Sequence, residues 1–138
     1  WVSNLNLIFN TVPVFVKIRN SIERFDAFVG DWNGKIYYLE NSGSSAEPAF
    51  AEAVGTSNPF TNVNFKSYSA PSFVDINGDG DLDAFVGSED GTLRYFENTG
   101  NANTPLFTER TGTLNPFNGL NSDNYNAVPS FVDIDDDG

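Results

Sequence analysis

The chain has 138 residues, enough for one domain with a core, and its formal net charge is −12. This charge excludes nucleic acid and anionic membrane surfaces as partners, because both are bound through Lys and Arg. The sequence has neither Cys nor His, which excludes disulfides and the usual zinc and copper ligands, and no apolar run predicts membrane insertion.

Residues 1–12 precede the repeated part of the chain and alternate loosely between apolar and polar side chains. This alternation favours a β-strand or strand-like extension. Two roles are open for it. It is either the last strand of a preceding unit or a donor strand that adds to the sheet edge of a neighbouring subunit.

An internal repeat organises the rest of the sequence. The stretch DAFVGDWNGKIYYLEN, from Asp26, recurs as DAFVGSEDGTLRYFEN, from Asp83, with nine of sixteen positions identical. The sequence therefore predicts a degenerate repeat at 13–70, a well-kept repeat at 71–128 and the start of a third at 129–138.

Each repeat has the pattern of four short strands. In the second repeat the strands are predicted at 71–76, 82–87, 92–97 and about 105–111, with an Asp-Gly turn between the second and third. Apolar residues on both faces are typical of β-propeller blades, which pack face to face. We therefore predict an all-β fold of propeller-type blades, each with four antiparallel strands and about 57–58 residues. Because propellers have roughly four to eight blades, the ring is incomplete without further repeats or other copies of the chain.

The loop DINGDGDLD, between the first two strands of the second repeat, places an oxygen-bearing side chain at every second position: Asp75, Asn77, Asp79, Asp81 and Asp83. Ca²⁺ prefers six to eight oxygen ligands, and neighbouring carboxylates repel one another unless a cation lies between them. The loop therefore predicts a Ca²⁺ site, in which Asp81 would use its backbone carbonyl. The alternative is a solvated turn without metal. An EF-hand is excluded, because position twelve is Val86 instead of Glu.

The other repeats carry altered copies of this loop. Three acidic residues repeat its first half and are predicted as ligands of a partial site: Asp133, Asp135 and Asp137. In the first repeat, Lys17 and Arg19 replace the first and third ligands, and Asp26 alone is kept. No calcium is expected there, and we hypothesise that the two cationic side chains replace it electrostatically.

These motifs resemble a known family. FVDINGDGDLDAFVG followed by DGTLRYFENTG is similar to the FG-GAP/VCBS repeats of bacterial surface proteins, which are related to the blades of integrin α-subunits. The resemblance implies a β-propeller, with the five loop residues as metal ligands. It also implies an extracellular or cell-surface setting and a binding or scaffold module without catalysis.

The expected function is a calcium-binding structural or adhesive repeat module that assembles head to tail with other copies or with further repeats, and that contacts glycans or surface proteins. The alternative is a carbohydrate-binding propeller lectin, in which Trp32 of the predicted turn 31–34 contacts the sugar. A hydrolase that uses the Asp clusters is less favoured, because metal binding explains their spacing better. No enzyme activity is therefore expected.

Overall fold

In the computed structural model, the described residues are 9–19, 24–101, 103–122, 125–132 and 134. Eight strands form two four-stranded antiparallel sheets, and in each sheet the strands follow chain order. The described residues contain only two helical elements, the single 3₁₀ turns Gly55–Ser57 and Gly112–Leu114. The predicted all-β fold with propeller-type blades is confirmed. No helix in these ranges is long and apolar enough to cross a bilayer.

The first sheet consists of β1 (Val12–Val16), β2 (Asp26–Gly30), β3 (Ile36–Asn41) and β4 (Phe50–Ala53). The central strands β2 and β3 are buried over almost their whole length. Their apolar side chains alternate between the two faces of the sheet, so each face needs a packing partner.

The second sheet repeats this arrangement with β5 (Ser69–Val74), β6 (Asp83–Ser88), β7 (Leu93–Asn98) and β8 (Phe107–Arg110). The strands predicted for this repeat are present, although the first begins two residues earlier than expected. Ser69 pairs with Ser88 at the far end of β6, which extends the ladder beyond the proline. The proline is accommodated because β5 is an edge strand.

Aromatic rings fill the space between the two sheets. Phe28 of the first sheet lies 4.6 Å from Phe73 of the second, measured between ring centroids. Phe60, from the segment that connects the sheets, stacks on Phe107 at 4.9 Å and meets Phe96 edge-on at 5.6 Å. The sheets therefore pack face to face, as expected for blades.

A close backbone approach occurs at the same place in both sheets. A Cβ atom on Gly30 would lie 1.8 Å from the carbonyl oxygen of Ser69, and one on Gly87 would lie 2.0 Å from that of Ala127. Each glycine thus allows the start of the following repeat to cross its sheet. Phe131 then packs on Phe85 at 4.8 Å, as Phe73 packs on Phe28. The division of the chain into repeats at 13, 71 and 129 stays a prediction.

Candidate metal centre

The predicted calcium loop leaves the second sheet after Val74, the last residue of β5, and returns at Asp83, the first residue of β6. Gly78 and Gly80 have φ values of +75° and +88°. Residues with a Cβ atom rarely adopt this left-handed conformation, so the two glycines allow the tight curvature of the loop.

The carboxylate of Asp75 is the centre of the loop. Its Oδ1 accepts hydrogen bonds from the backbone N–H groups of Gly78, at 2.8 Å, and Asp79, at 3.2 Å. Its Oδ2 accepts one from the N–H of Gly80 at 2.8 Å. The backbone N–H groups of three successive residues therefore point toward the first predicted ligand, and the chain curves around it.

The next two predicted ligands make local hydrogen bonds. Asn77 Oδ1 accepts from the N–H of Asp79, and Asp79 Oδ1 accepts from the N–H of Asp81, both at 2.9 Å. Asn77 and Asp79 are exposed to solvent. No three acidic side chains within the described ranges are close enough together to hold a metal ion. The structure thus places the predicted donors along one loop, with their carboxylates engaged by backbone N–H groups.

Asp83 closes the loop and is fully buried. Its Oδ1 accepts a hydrogen bond of 2.7 Å from the N–H of Asn98, and its Oδ2 accepts one of 2.9 Å from the hydroxyl of Tyr95. Burial raises the pKa of the Asp83 carboxyl, the two hydrogen bonds oppose this rise, and the nearby charge of Asp79 adds to it. Within the described residues no Lys or Arg side chain pairs with Asp83.

The equivalent residue of the first sheet has the same two donors but also has a cation. Asp26 accepts from the N–H of Asn41 at 2.8 Å and from the hydroxyl of Tyr38 at 3.0 Å. In addition, Arg19 donates two hydrogen bonds to it, from Nε at 2.8 Å and from Nη2 at 2.7 Å. One fold position therefore holds a neutralised carboxylate in the first sheet and, in the second, a buried carboxylate without a paired cationic side chain.

A second difference lies beside Asp83. The side-chain amide nitrogen of Asn98 is buried and has no hydrogen-bond partner within the described residues. In the first sheet the corresponding nitrogen of Asn41 donates to the carbonyl of Phe25 at 3.3 Å. The end of β7 in the second sheet thus lacks, among the described residues, the side-chain hydrogen bond that Asn41 makes to the loop in the first sheet.

These observations test whether the loop suits a hard divalent cation. Its donors are all oxygens, the type that Ca²⁺ binds. Asp83 is a buried carboxylate, and its counterpart in the first sheet, Asp26, is paired with Arg19, so a cation near Asp83 would offset its desolvation. The residue types of the loop therefore suit a Ca²⁺ ion, although no three of its carboxylates lie together among the described residues.

Asp133, Asp135 and Asp137 lie outside the described residues, so the partial site stays a prediction. Trp32 lies in the β2–β3 turn and is 39% exposed. Its backbone is fixed on both sides, because its N–H donates to Phe9 at 3.1 Å and its carbonyl accepts from Tyr68 at 2.7 Å.

Sequence reasoning missed Tyr95 and Asn98 as partners of the candidate site. Both are identical to their counterparts in the first repeat, Tyr38 and Asn41. That identity was a usable signal. A tyrosine that is kept while the residues on either side change, as in IYYLEN and LRYFEN, indicates a role beyond filling the core.

Comparison with known proteins finds one family match, over part of the chain. Residues 75–138 match the FG-GAP-like repeat family. The resemblance that the motifs indicated is confirmed for these residues. No curated protein and no solved structure matches the chain. FG-GAP-like repeats are structural repeat modules of larger proteins, are not typically enzymes and usually occur in extracellular proteins.

Proposed function

We propose that this FG-GAP-like repeat module binds Ca²⁺ at the 75–83 loop and serves a structural or adhesive role, without catalysis, in an extracellular or cell-surface protein. The observation that carries the proposal is the contrast between Asp83 and Asp26. Both are buried and have the same tyrosine and backbone donors, but only Asp26 is paired with an arginine.

In this proposal the cation is held by the side chains of the alternate loop residues, with Asp81 contributing its backbone carbonyl: Asp75, Asn77, Asp79, Asp81 and Asp83. When bound, Ca²⁺ supplies the positive charge that these carboxylates otherwise lack. Because the loop begins at the end of β5 and ends at the start of β6, a bound ion ties the edge strand of the sheet to its neighbour.

An extracellular location is compatible with a calcium site of this kind. Extracellular calcium modules bind with dissociation constants of about 10⁻⁴–10⁻³ M. One rigid site of this kind adds modest stability, and an array of repeats multiplies it. This is the expected chemistry of a scaffold rather than of a catalyst, whose carboxylates would face a substrate cleft.

Calcium binding is tested directly by isothermal titration of the chain with CaCl₂. Asp79→Ala removes one donor from an exposed part of the loop and is expected to weaken binding at least tenfold. Glu47→Ala removes one negative charge from an exposed part of the first repeat and is expected to leave binding unchanged. Absence of saturable binding in the unmodified chain would refute the proposal.

We also infer that the outer face of the first sheet contacts another copy of the repeat. Phe15 is 60% exposed and meets Phe50 edge-on at 6.1 Å, beside a cavity of about 540 Å³. The equivalent rings of the second sheet, Phe73 and Phe107, lie 5.9 Å apart and are covered by the first sheet. The ring pair of the second sheet is thus covered by a neighbouring blade, whereas the equivalent pair of the first sheet is not covered by a blade within the described residues. This contrast supports head-to-tail packing of another copy on the first sheet.

Sedimentation velocity over a range of protein concentrations tests this contact. The unmodified chain is expected to associate, and Phe15→Ser is expected to weaken the association. Val54→Ser serves as control, since Val54 is 68% exposed and does not line the cavity. A monomer at every concentration would contradict head-to-tail assembly.

A glycan contact through Trp32 is a second candidate function. It is favoured by the partial exposure of the indole and by the two backbone hydrogen bonds that fix its turn, because an aromatic ring presented from a fixed turn offers a sugar an apolar surface. A glycan array tests it. Saturable binding that Trp32→Ala abolishes would support the lectin alternative, and absence of binding would exclude it.

A further inference from the structure

The two sheets contain the same carboxylate pocket. Asp26 and Asp83 are the first residues of β2 and β6 and pair with Val16 and Val74, the last residues of the preceding strands. Both carboxylates are almost inaccessible to solvent, and each receives one tyrosine hydroxyl and one backbone N–H. The two carboxylates differ in the cation paired with them, which is Arg19 for Asp26 and is absent for Asp83 among the described residues.

Arg19 fills the pocket of the first sheet with four hydrogen bonds. Two go to the carboxylate of Asp26, one to the carboxylate of Glu40 and one, at 3.3 Å, to the carbonyl of Asn41. All four acceptors are oxygens, so the guanidinium lies in the kind of all-oxygen environment that a hard cation requires. Its side chain is 23% exposed, and the hydrogen bonds to Asp26 raise the pKa of Arg19.

The corresponding oxygens of the second sheet are arranged differently. Glu97, the counterpart of Glu40, pairs with Arg110 at 2.6 Å. Arg110 has no counterpart in the first sheet, where Ala53 stands at that position. Arg110 thus neutralises the glutamate of the second sheet but does not pair with Asp83.

We propose that the guanidinium of Arg19 takes the place in the first blade that Ca²⁺ takes in the second, so that the buried carboxylate of Asp26 is neutralised without calcium. The proposal rests on the calcium site of the proposed function. Arg19 stands at the position of the third loop ligand, Asn77, and its side chain is long enough to reach back to Asp26. Calcium depletion is then expected to loosen one blade while its neighbour stays intact.

Lys17 supports the proposal that the first loop does not bind Ca²⁺. It stands at the position of the first loop ligand, Asp75, and its Nζ lies 5.2 Å from the ring centroid of Phe25. A second positive charge beside the pocket repels a divalent cation. In the first loop, Arg19 therefore neutralises Asp26, and the positive charge of Lys17 opposes the binding of Ca²⁺.

Hydrogen–deuterium exchange of the full chain, with Ca²⁺ and with EGTA, tests the proposal. Peptides from β6 and β7 are expected to lose protection in EGTA, whereas peptides from β2 and β3 are expected to keep it. Equal loss in both sheets would overturn the role of Arg19 and leave the calcium site standing. No loss in either sheet would overturn the calcium site, and with it the equivalence.

The same experiment on variants isolates the guanidinium. Arg19→Gln is expected to speed exchange in β2 and β3 about tenfold, with or without calcium, because it leaves Asp26 buried without a cation. Arg19→Lys keeps the charge but not the paired hydrogen bonds and is expected to give a smaller effect. Arg24→Gln is the matched control, since among the described residues Arg24 donates to the carbonyl of Gly43 and makes no ion pair with Asp26. Unchanged exchange in Arg19→Gln would refute the proposal.

Discussion

The hydroxyl of Tyr95 donates a hydrogen bond of 2.9 Å to the carboxylate of Asp83, and both side chains are buried. Tyr38 and Asp26 make the same contact in the first sheet at 3.0 Å. In each case the tyrosine also stacks on the phenylalanine two residues after the aspartate. One ring thus joins the aromatic packing of the blade to the charged end of its loop.

Replacing Tyr95 by Phe tests this contact. The variant keeps the stacked ring but leaves a buried carboxylate with one donor fewer, so the free energy of unfolding is expected to fall by about 1.5–3 kcal/mol. Urea denaturation measures it. Tyr125→Phe is the control, because Tyr125 is 76% exposed and should change stability little. Equal effects of the two variants would contradict the importance of the contact.

Alkaline pH is expected to destabilise the protein through the same tyrosines. Burial raises the pKa of Tyr38 and of Tyr95, and hydrogen bonds to aspartate raise both further. Tyr38 and Tyr95 in the folded chain therefore keep protons that they release near pH 10 in the unfolded chain. Their stabilisation is complete below that pH and is lost as pH rises toward the folded pKa values. Tyrosinate absorbance during alkaline titration, with the denatured chain as control, measures the delayed ionisation.

Phe60 is expected to hold the two sheets together. It packs against Phe28 of the first sheet and against Phe96 and Phe107 of the second. Phe60→Ala would open a cavity between the sheets and lower the free energy of unfolding by about 3–5 kcal/mol. Leu114→Ala, at a residue that is 64% exposed, is the control for thermal or urea unfolding. A loss below about 1 kcal/mol would mean that the sheets do not depend on this ring.

Removing calcium is expected to lower the melting temperature. At a free concentration ten times the dissociation constant, one site adds about 1.4 kcal/mol, which corresponds to about 4–7 °C for a chain of this size. Differential scanning calorimetry with EGTA and after addition of excess CaCl₂ measures the shift. Mg²⁺ at the same concentration is expected to restore less, because it loses its water shell reluctantly. An unchanged melting temperature would count against a structural metal.

The positions of the central strands of the second sheet could be predicted from the local sequence pattern. The alternation in DAFVG and LRYFEN predicted β6 and β7 to within one residue, because strand periodicity and the Asp90-Gly91 turn act over short distances. The start of β5 was missed by two residues. Its first pair, Ser69 with Ser88, lies on the far side of a proline and depends on the partner strand.

The candidate site divides in the same way. The alternate oxygen donors of the 75–83 loop are predicted as ligands from their spacing, since that spacing is a property of the sequence alone, and their role as ligands stays a prediction. Tyr95 and Asn98 were not predicted, because they approach Asp83 only after β7 has paired with β6. The order of residues along the chain determines the donors of the loop, and strand pairing determines which residues surround its last predicted ligand, Asp83.

The sequence by itself determined that this protein is built of repeated four-stranded β units, that one loop carries five alternating oxygen donors, and that Lys17 and Arg19 have replaced two of them in the first copy. Only the tertiary structure decided which groups the replaced side chains contact. Arg19 reaches Asp26 across the loop, whereas Asp83 is buried with no paired cationic side chain among the described residues. The physical reason is that burial and pairing of a charge depend on what the folded sheets bring together, which spacing along the chain does not specify.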